Sequence, residues 1–455
     1  MSKQTEFSNK NILVLGAGVS GISVANILQQ LGAHVILSDA KSADKIDKDF
    51  SQLKATGVVL ALGNQNEELL DGMDYIVLSP GISIYIPLVA AAQGRGITIM
   101  SEVEVAYRLS NAPIVAVTGT NGKTTTTTLI GEILKTTGRQ VSVGGNIGAA
   151  LSDQALETGP DGFVVAEISS FQLEGAIKFR PHIAAVLNLT PDHLDRHHTM
   201  AVYQEMKERI FTNQHENDYL ILNYDDIVVR GMAERAPGKI LYFSRQQRLD
   251  SGIFVENGTI TLNWDGKHTD ICAVNDIQIK GGHNVENALA ACAVGYLAGA
   301  DLEDMAKVLK TFQGVEHRIE PVTEIAGVAY YNDSKATNPE SSIKALEAFP
   351  GQIILIAGGR DKNTDLTEFM QLIKERVDHL ILLGEAQQRF AESAAQHGVK
   401  NIHNTPSLSE AVALAHSLAQ PPQVVLLSPA CASYDMFNNY EERGKVFKDL
   451  VRRLG

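Results

Sequence analysis

Residues 114–127 read IVAVTGTNGKTTTT: an apolar run, a glycine turn and a threonine-rich helix start in direct succession. The Gly122-Lys123-Thr124 end fits the phosphate-loop pattern G-x-x-x-x-G-K-[ST], but Val117 stands where the first glycine belongs. Successive amides at Gly119, Thr120, Asn121 and Gly122, with a helix N-terminus behind them, form a nest for phosphate oxygens. Lys123 then reaches the β- and γ-phosphates, and the Thr124 hydroxyl reaches Mg²⁺. The plainer alternative is a helix start capped by Thr120 or Asn121. Strand, GKT and helix in that order favour a nucleotide.

Outward from this loop, short apolar runs alternate with helical patterns, as in parallel α/β architecture. NILVLG (11–16), HVILSD (34–39), YIVLSP (75–80) and ITIM (97–100) form a first group of strands. IVAVTG (114–119), FVVAEIS (163–169), IAAVLNL (183–189) and DYLILN (218–223) form a second, and VAYYND, QIILIAGG, HLILLG and QVVLLSP form a third. Residues 239–280 read as inserted hairpin material, with Asn257-Gly258 between alternating strands. With 455 residues the chain exceeds one core. We therefore expect domains at 1–106, 107–314 and 315–455.

Composition narrows the partners. A net charge of −14 without a basic run argues against nucleic acid and anionic membrane. The three cysteines form no CxxC pair, which disfavours a disulfide framework. The first ten residues, MSKQTEFSNK, lack an apolar signal region. The apolar segment 285–300 is too short for a membrane span and reads as a buried helix. A cytoplasmic monomer is expected.

Other motifs gather where open α/β sheets place ligands. GAGVSG (16–21) follows a strand, precedes a helix, and has Asp39 at the end of the next strand. It fits a diphosphate-containing ligand, NAD among the candidates, or simply a tight turn. Glu167 ends an apolar strand where a carboxylate meets Mg²⁺. NLTPDHLDRHH (188–198) matches no zinc spacing; His193 reads instead as a group near a Mg²⁺ site. His317, Arg318, Lys335 and Lys362 offer cations from the last third.

TGTNGKT, GGNIG, the acid of FVVAEISSFQLE, DHLDRH, HNVENALAA, EHR and NDSKATNP occur in the order seen in the Mur ligases, which the whole chain resembles. The phosphate loop of that family also lacks the first glycine. The resemblance implies a Rossmann-like N-terminal domain, a central P-loop ATPase-type parallel sheet and a C-terminal Rossmann-like α/β domain. SSFQLE and SPACASYDMFNNYEERG look most like the member that joins D-glutamate to UDP-N-acetylmuramoyl-L-alanine with ATP.

That resemblance also implies roles. Gly16, Ser20, Asp39 and Ser79 would surround UDP rather than NAD, and Asn146 and His193 would meet the substrate or its metal. Gly119 to Thr125, Asn287, Arg318 and Asp333 would hold ATP. Lys335, Thr337, Lys362, Ser433 and Tyr440 would surround D-glutamate. Thr124, Glu167, His193 and Lys207, the last carbamylated, would serve two Mg²⁺ ions, with Lys123, Lys207 and His193 as the catalytic set. Two positions depart from the pattern: in GGRDK only Lys362 transfers securely, and Tyr440 replaces a frequent phenylalanine. The rivals are an NAD(P)-dependent oxidoreductase, a P-loop switch without substrate chemistry, and another ligase of the same family.

Overall fold

The computed structural model describes residues 3–46, 50–63, 65–361 and 364–454. They form three sheets within two compact units, Met1–Asp276 with Glu286–Lys310, and Ile277–Val285 with Thr311–Gly455. Among the described residues no helix is long and apolar enough to cross a membrane.

The first sheet comprises β1 (Asn11–Leu15), β2 (His34–Asp39), β3 (Val59–Leu62), β4 (Tyr75–Leu78) and β5 (Thr98–Ser101), in the order β3-β2-β1-β4-β5. All its pairings are parallel. Continuous apolar runs suit such strands because helices cover both faces. Ile12 and Val14 join one core and Leu13 and Leu15 the other, as period-two side chains must. The order reverses between β1 and β4, and the glycine-rich turn leaves β1 beside that crevice.

The second sheet belongs to the same unit. It holds β6 (Ile114–Thr118), β7 (Val141–Gly145), β8 (Phe163–Glu167), β9 (Ile183–Val186), β10 (Tyr219–Asn223), β11 (Lys239–Ser244), β12 (Gly252–Glu256), β13 (Thr259–Trp264) and β14 (Lys267–Ala273). Their order is β14-β13-β12-β11-β10-β9-β6-β8-β7. Strand β6 lies well inside and all five of its residues are buried. The expectation of hairpin material over 239–280 holds from β12 onward. Asn257-Gly258 and Asp265-Gly266 have positive φ at both residues, as tight hairpin turns require. It fails for β11, which pairs parallel with β10. The helix Ile227–Gly231 precedes it, so β11 arrives by crossover rather than by a turn.

The third sheet has β15 (Glu320–Ile325), β16 (Val328–Asn332), β17 (Ile353–Gly358), β18 (Val377–Leu383), β19 (Ile402–Asn404) and β20 (Val424–Leu427). Its order is β15-β16-β20-β17-β18-β19, parallel except for the β15–β16 hairpin.

Candidate active site

Strand β6 ends at Thr118 and the helix Lys123–Lys135 begins five residues later. Val117 is therefore a buried strand residue opposite Glu167, not part of the turn. Gly119 opens the loop at φ 153° and Gly122 closes it at φ 84°. A side chain on Gly122 is barred twice, by that backbone and by Asn287 Oδ1, which would lie 2.3 Å from a Cβ. Asn287 also accepts the Thr126 hydroxyl hydrogen bond at 3.1 Å.

The loop is laced to the segment after β9. The Thr120 amide donates to the Asn188 carbonyl at 3.0 Å, and the Asn121 amide donates to Asn188 Oδ1 at 2.8 Å. Asn188 Nδ2 returns a bond to the Asn121 carbonyl, and Thr120 Oγ1 accepts from the Thr190 amide. Lys123 Nζ folds back onto the Gly119 and Thr120 carbonyls at 2.8 and 2.7 Å. The first helical bond runs from the Thr126 amide to Gly122, so the Lys123 to Thr125 amides stand at the positive helix end, whereas the Thr120 and Asn121 amides expected in a phosphate nest are committed to Asn188 instead. Thr124 and Thr125 are buried in that first turn.

Glu167, the last residue of β8, is 1% exposed. Its Oε1 accepts from Asn146 Nδ2 at 2.8 Å, while Oε2 is buried with no hydrogen-bond partner among the described residues. A buried carboxylate oxygen left open beside a phosphate loop fits a hard divalent cation such as Mg²⁺. Lys207, on the helix Met200–Glu208, donates to the Gly119 carbonyl at 2.8 Å and lies 4.7 Å from the Tyr203 ring centroid. Burial pushes its ammonium well below the ordinary lysine value, and the Lys123 charge adds to that. His193 caps the short helix Leu194–His197 at φ 54°, with its ring 4.7 Å from Phe171 and exposed to solvent. One unit thus brings the loop, Glu167, Asn146 and Lys207 together around the ends of β6 and β8.

At the first sheet, Ser79 Oγ donates to the Gly16 carbonyl at 2.9 Å. Asp39 accepts from the Ala17 amide with one oxygen and from the Lys41 amide with the other. The acid thus shapes the turn itself, each oxygen keeping a further lone pair. A Cβ on Gly21 would sit 1.9 Å from the Gly16 carbonyl, so the helix Val19–Gln30 packs this closely only with glycine there. Ser20 lies half-buried in its first turn.

In the second unit Asp333 follows β16 and is fully buried. It accepts from the Ile319 amide at 3.2 Å and from the Ser428 hydroxyl at 2.7 Å. Arg318 Nε is buried without a hydrogen-bond partner among the described residues. Lys335 Nζ stands 5.4 Å from the Tyr440 ring centroid, Ser433 is buried, and Thr337 precedes the Asn338 cap of the helix Pro339–Glu347. Lys362 lies outside the described residues. Sequence reasoning missed Arg443, which is 1% exposed and donates to the Ser334 hydroxyl and to the Ser334 and Cys431 carbonyls. It pins the two loops carrying Lys335 and Ser433. Burial lowers its guanidinium to about 10, so it stays charged at neutral pH. Its place inside NNYEERG, amid motif residues, was the available signal.

Burial pushes the Asp333 carboxyl up to about 6, against the opposing pull of Arg318. A carboxyl raised in the folded state contributes stability that is present below pH 4 and lost as pH climbs through 6. Asp333→Asn should therefore melt higher than the parent at pH 8, by on the order of 1–3 kcal/mol, and match it near pH 4. Parallel melting curves of the two proteins across that range would refute this.

A cavity of about 360 Å³ lies instead at the opposite ends of β6 and β9, lined by Tyr107, Arg180, His182 and Asp218. Its polar groups are committed: Arg180 pairs with the buried Asp218, whose other oxygen bonds the His182 ring. It stands apart from the loop chemistry.

Three family descriptions match the chain in series. Residues 10–101 fit the Mur ligase MurD-like N-terminal domain, 117–295 the Mur ligase middle domain, and 317–431 the Mur ligase glutamate ligase domain. UDP-N-acetylmuramoylalanine--D-glutamate ligase of Caldanaerobacter subterraneus subsp. tengcongensis is 48% identical over 99% of both chains. The enzyme of the same name from a Thermoanaerobacter species is 47% identical over 99% of both. Among solved structures, a pseudomurein peptide ligase type C from Methanothermus fervidus superposes with a TM-score of 0.62 at 19% identity. It covers 98% of this chain and 100% of its own, a likeness of fold alone.

Proposed function

Because the chain belongs to the Mur ligase family, we propose that its three sheets divide one reaction. In that division residues 1–106 bind the UDP-linked substrate, 107–314 bind ATP, and 315–455 bind the incoming amino acid. The chain is an ATP-dependent ligase that adds D-glutamate to UDP-N-acetylmuramoyl-L-alanine in peptidoglycan precursor synthesis. The observation that best supports the residue roles is the open Glu167 oxygen beside a glycine-lysine-threonine loop.

A carboxylate is a poor electrophile, and ATP removes that obstacle. An L-alanine carboxylate oxygen attacks the γ-phosphorus and ADP leaves. The D-glutamate nitrogen then attacks the acyl carbon, loses a proton, and inorganic phosphate departs as the amide forms. Lys123 exchanges its two loop carbonyls for phosphate oxygens and meets the charge that develops in transfer. Thr124, Glu167, His193 and a carbamylated Lys207 are the residues we assign to two Mg²⁺ ions. Bound there, the ions supply Lewis acidity and offset phosphate charge. Asn146 holds Glu167 in place and, with His193, faces the substrate. Gly16, Ser20, Asp39 and Ser79 cradle the UDP group.

Gly119 to Thr125 line the nucleotide with Asn287, Arg318 and Asp333. Lys335, Thr337, Lys362, Ser433 and Tyr440 receive D-glutamate, the cations offsetting repulsion between two anionic substrates. In this reading the enzyme is a cytoplasmic monomer without a nucleic-acid or membrane partner, and its product serves wall growth, cell shape and division. The deciding assay is phosphate release from ATP with UDP-N-acetylmuramoyl-L-alanine and one amino acid at a time. D-glutamate alone should support turnover; release with L-alanine or a diamino acid instead would point to another ligase.

A further inference from the structure

Arg196 sits in the DHLDRHH loop, and the reaction scheme above leaves it without a task. Every arm of its guanidinium is engaged. Nε and Nη2 fork onto the Glu174 carboxylate, the Nε bond measuring 2.9 Å. Nη1 donates to the Pro80 carbonyl at 3.2 Å and Nη2 to the Ile82 carbonyl at 2.8 Å. The guanidinium carbon lies 4.0 Å from the Phe171 ring centroid. Its side chain is 12% exposed and that of Glu174 is 2% exposed.

The groups it joins come from the first and second sheets. Pro80 and Ile82 belong to the turn after β4, where Ser79 bonds Gly16 and the Ile82 side chain closes on the same glycine. Glu174 ends the SSFQLE segment that follows Glu167, and its carbonyl accepts from Arg209 at 2.8 Å. Phe171, under the guanidinium, also carries the His193 ring. One cation therefore touches a wall of the glycine cradle and the segment between Glu167 and His193.

We propose that Arg196 is a positioning residue that sets the span between the UDP cradle and the phosphate loop, so that the substrate carboxylate arrives in line with the γ-phosphate. The planar fork matters, because Arg196 donates four bonds, two of them side by side to the two Glu174 oxygens, whereas an ammonium has three donors and no bidentate geometry. A shift of about 1 Å in reacting groups costs about 10²-fold in rate. The alternative is a buried ion pair that only stabilises the fold.

The proposal rests on the ligase reading, and one experiment separates the two. Arg196→Lys keeps the charge and loses the fork. Its kcat for D-glutamate-dependent phosphate release should fall about 100-fold. The KM for ATP and the Kd of UDP alone, which fills only the cradle, should each stay within about twofold. A kcat loss below about threefold, or a UDP affinity that falls in step with kcat, overturns the proposal. Should that variant fail to fold, Glu174→Gln, which weakens the fork from the other side, is judged by the same split. A parent enzyme that releases no phosphate with D-glutamate defeats the ligase reading itself. An active parent with an indifferent variant defeats only the positioning role.

Discussion

Lys123→Ala should lower D-glutamate-dependent phosphate release by about 10²–10³-fold or more, the scale for losing one preorganised electrostatic contact. The ammonium is held 2.7–2.8 Å from two carbonyls of the loop proposed to receive the phosphates, so it is placed before ATP arrives. The Gly119 carbonyl keeps its Lys207 donor once the side chain is gone, and the loop keeps its Asn188 bonds. The melting midpoint should therefore move by no more than a few degrees, as for a partly exposed side chain. Near-normal turnover in this variant would mean that the nucleotide binds elsewhere.

Lys207→Ala should be nearly as damaging, about 10²–10³-fold, and partly restored by short-chain carboxylic acids. The side chain is 1% exposed, and burial together with Lys123 depresses its ammonium well below the ordinary lysine value. A lysine depressed in the folded state weakens the fold below its unfolded pKa, and the penalty shrinks as pH rises toward that value. The neutral amine is also the form that adds CO₂, so the same burial keeps Lys207 in its reactive state. Removing the side chain should leave the melting midpoint unchanged or higher while turnover collapses. Full activity without added acid would rule out the carbamate role.

The sequence carried most of the scaffold because its strands are apolar on both faces and end in glycines or acids. β2 spans the residues expected, and β1, β4, β6 and β8 differ only at their ends. The strands that escaped notice were β3, β7, β15 and β19, each at the margin of a sheet. Exposed margins tolerate residues such as the two glutamates, proline and threonine of EPVTEI, which leave little apolar signal. At the proposed site, the strand–turn–helix geometry was legible because Gly119 and Gly122 take backbone angles that favour glycine between an apolar run and a helix start. Asn188, Arg196 and Arg443 were not, since each acts on backbone carbonyls or amides brought near only by folding. Such partners impose no spacing rule on the chain.

The Asn188 lacing has a consequence for timing. Two backbone amides of the proposed nucleotide loop are already bonded to the segment after β9, and the segment's own amide group bonds back. Ordering these residues is thus a cost of folding, met once in the life of the molecule. It does not recur with every ATP that arrives and every ADP that leaves, so the loop behaves as scaffold through successive turnovers rather than as a part remade in each.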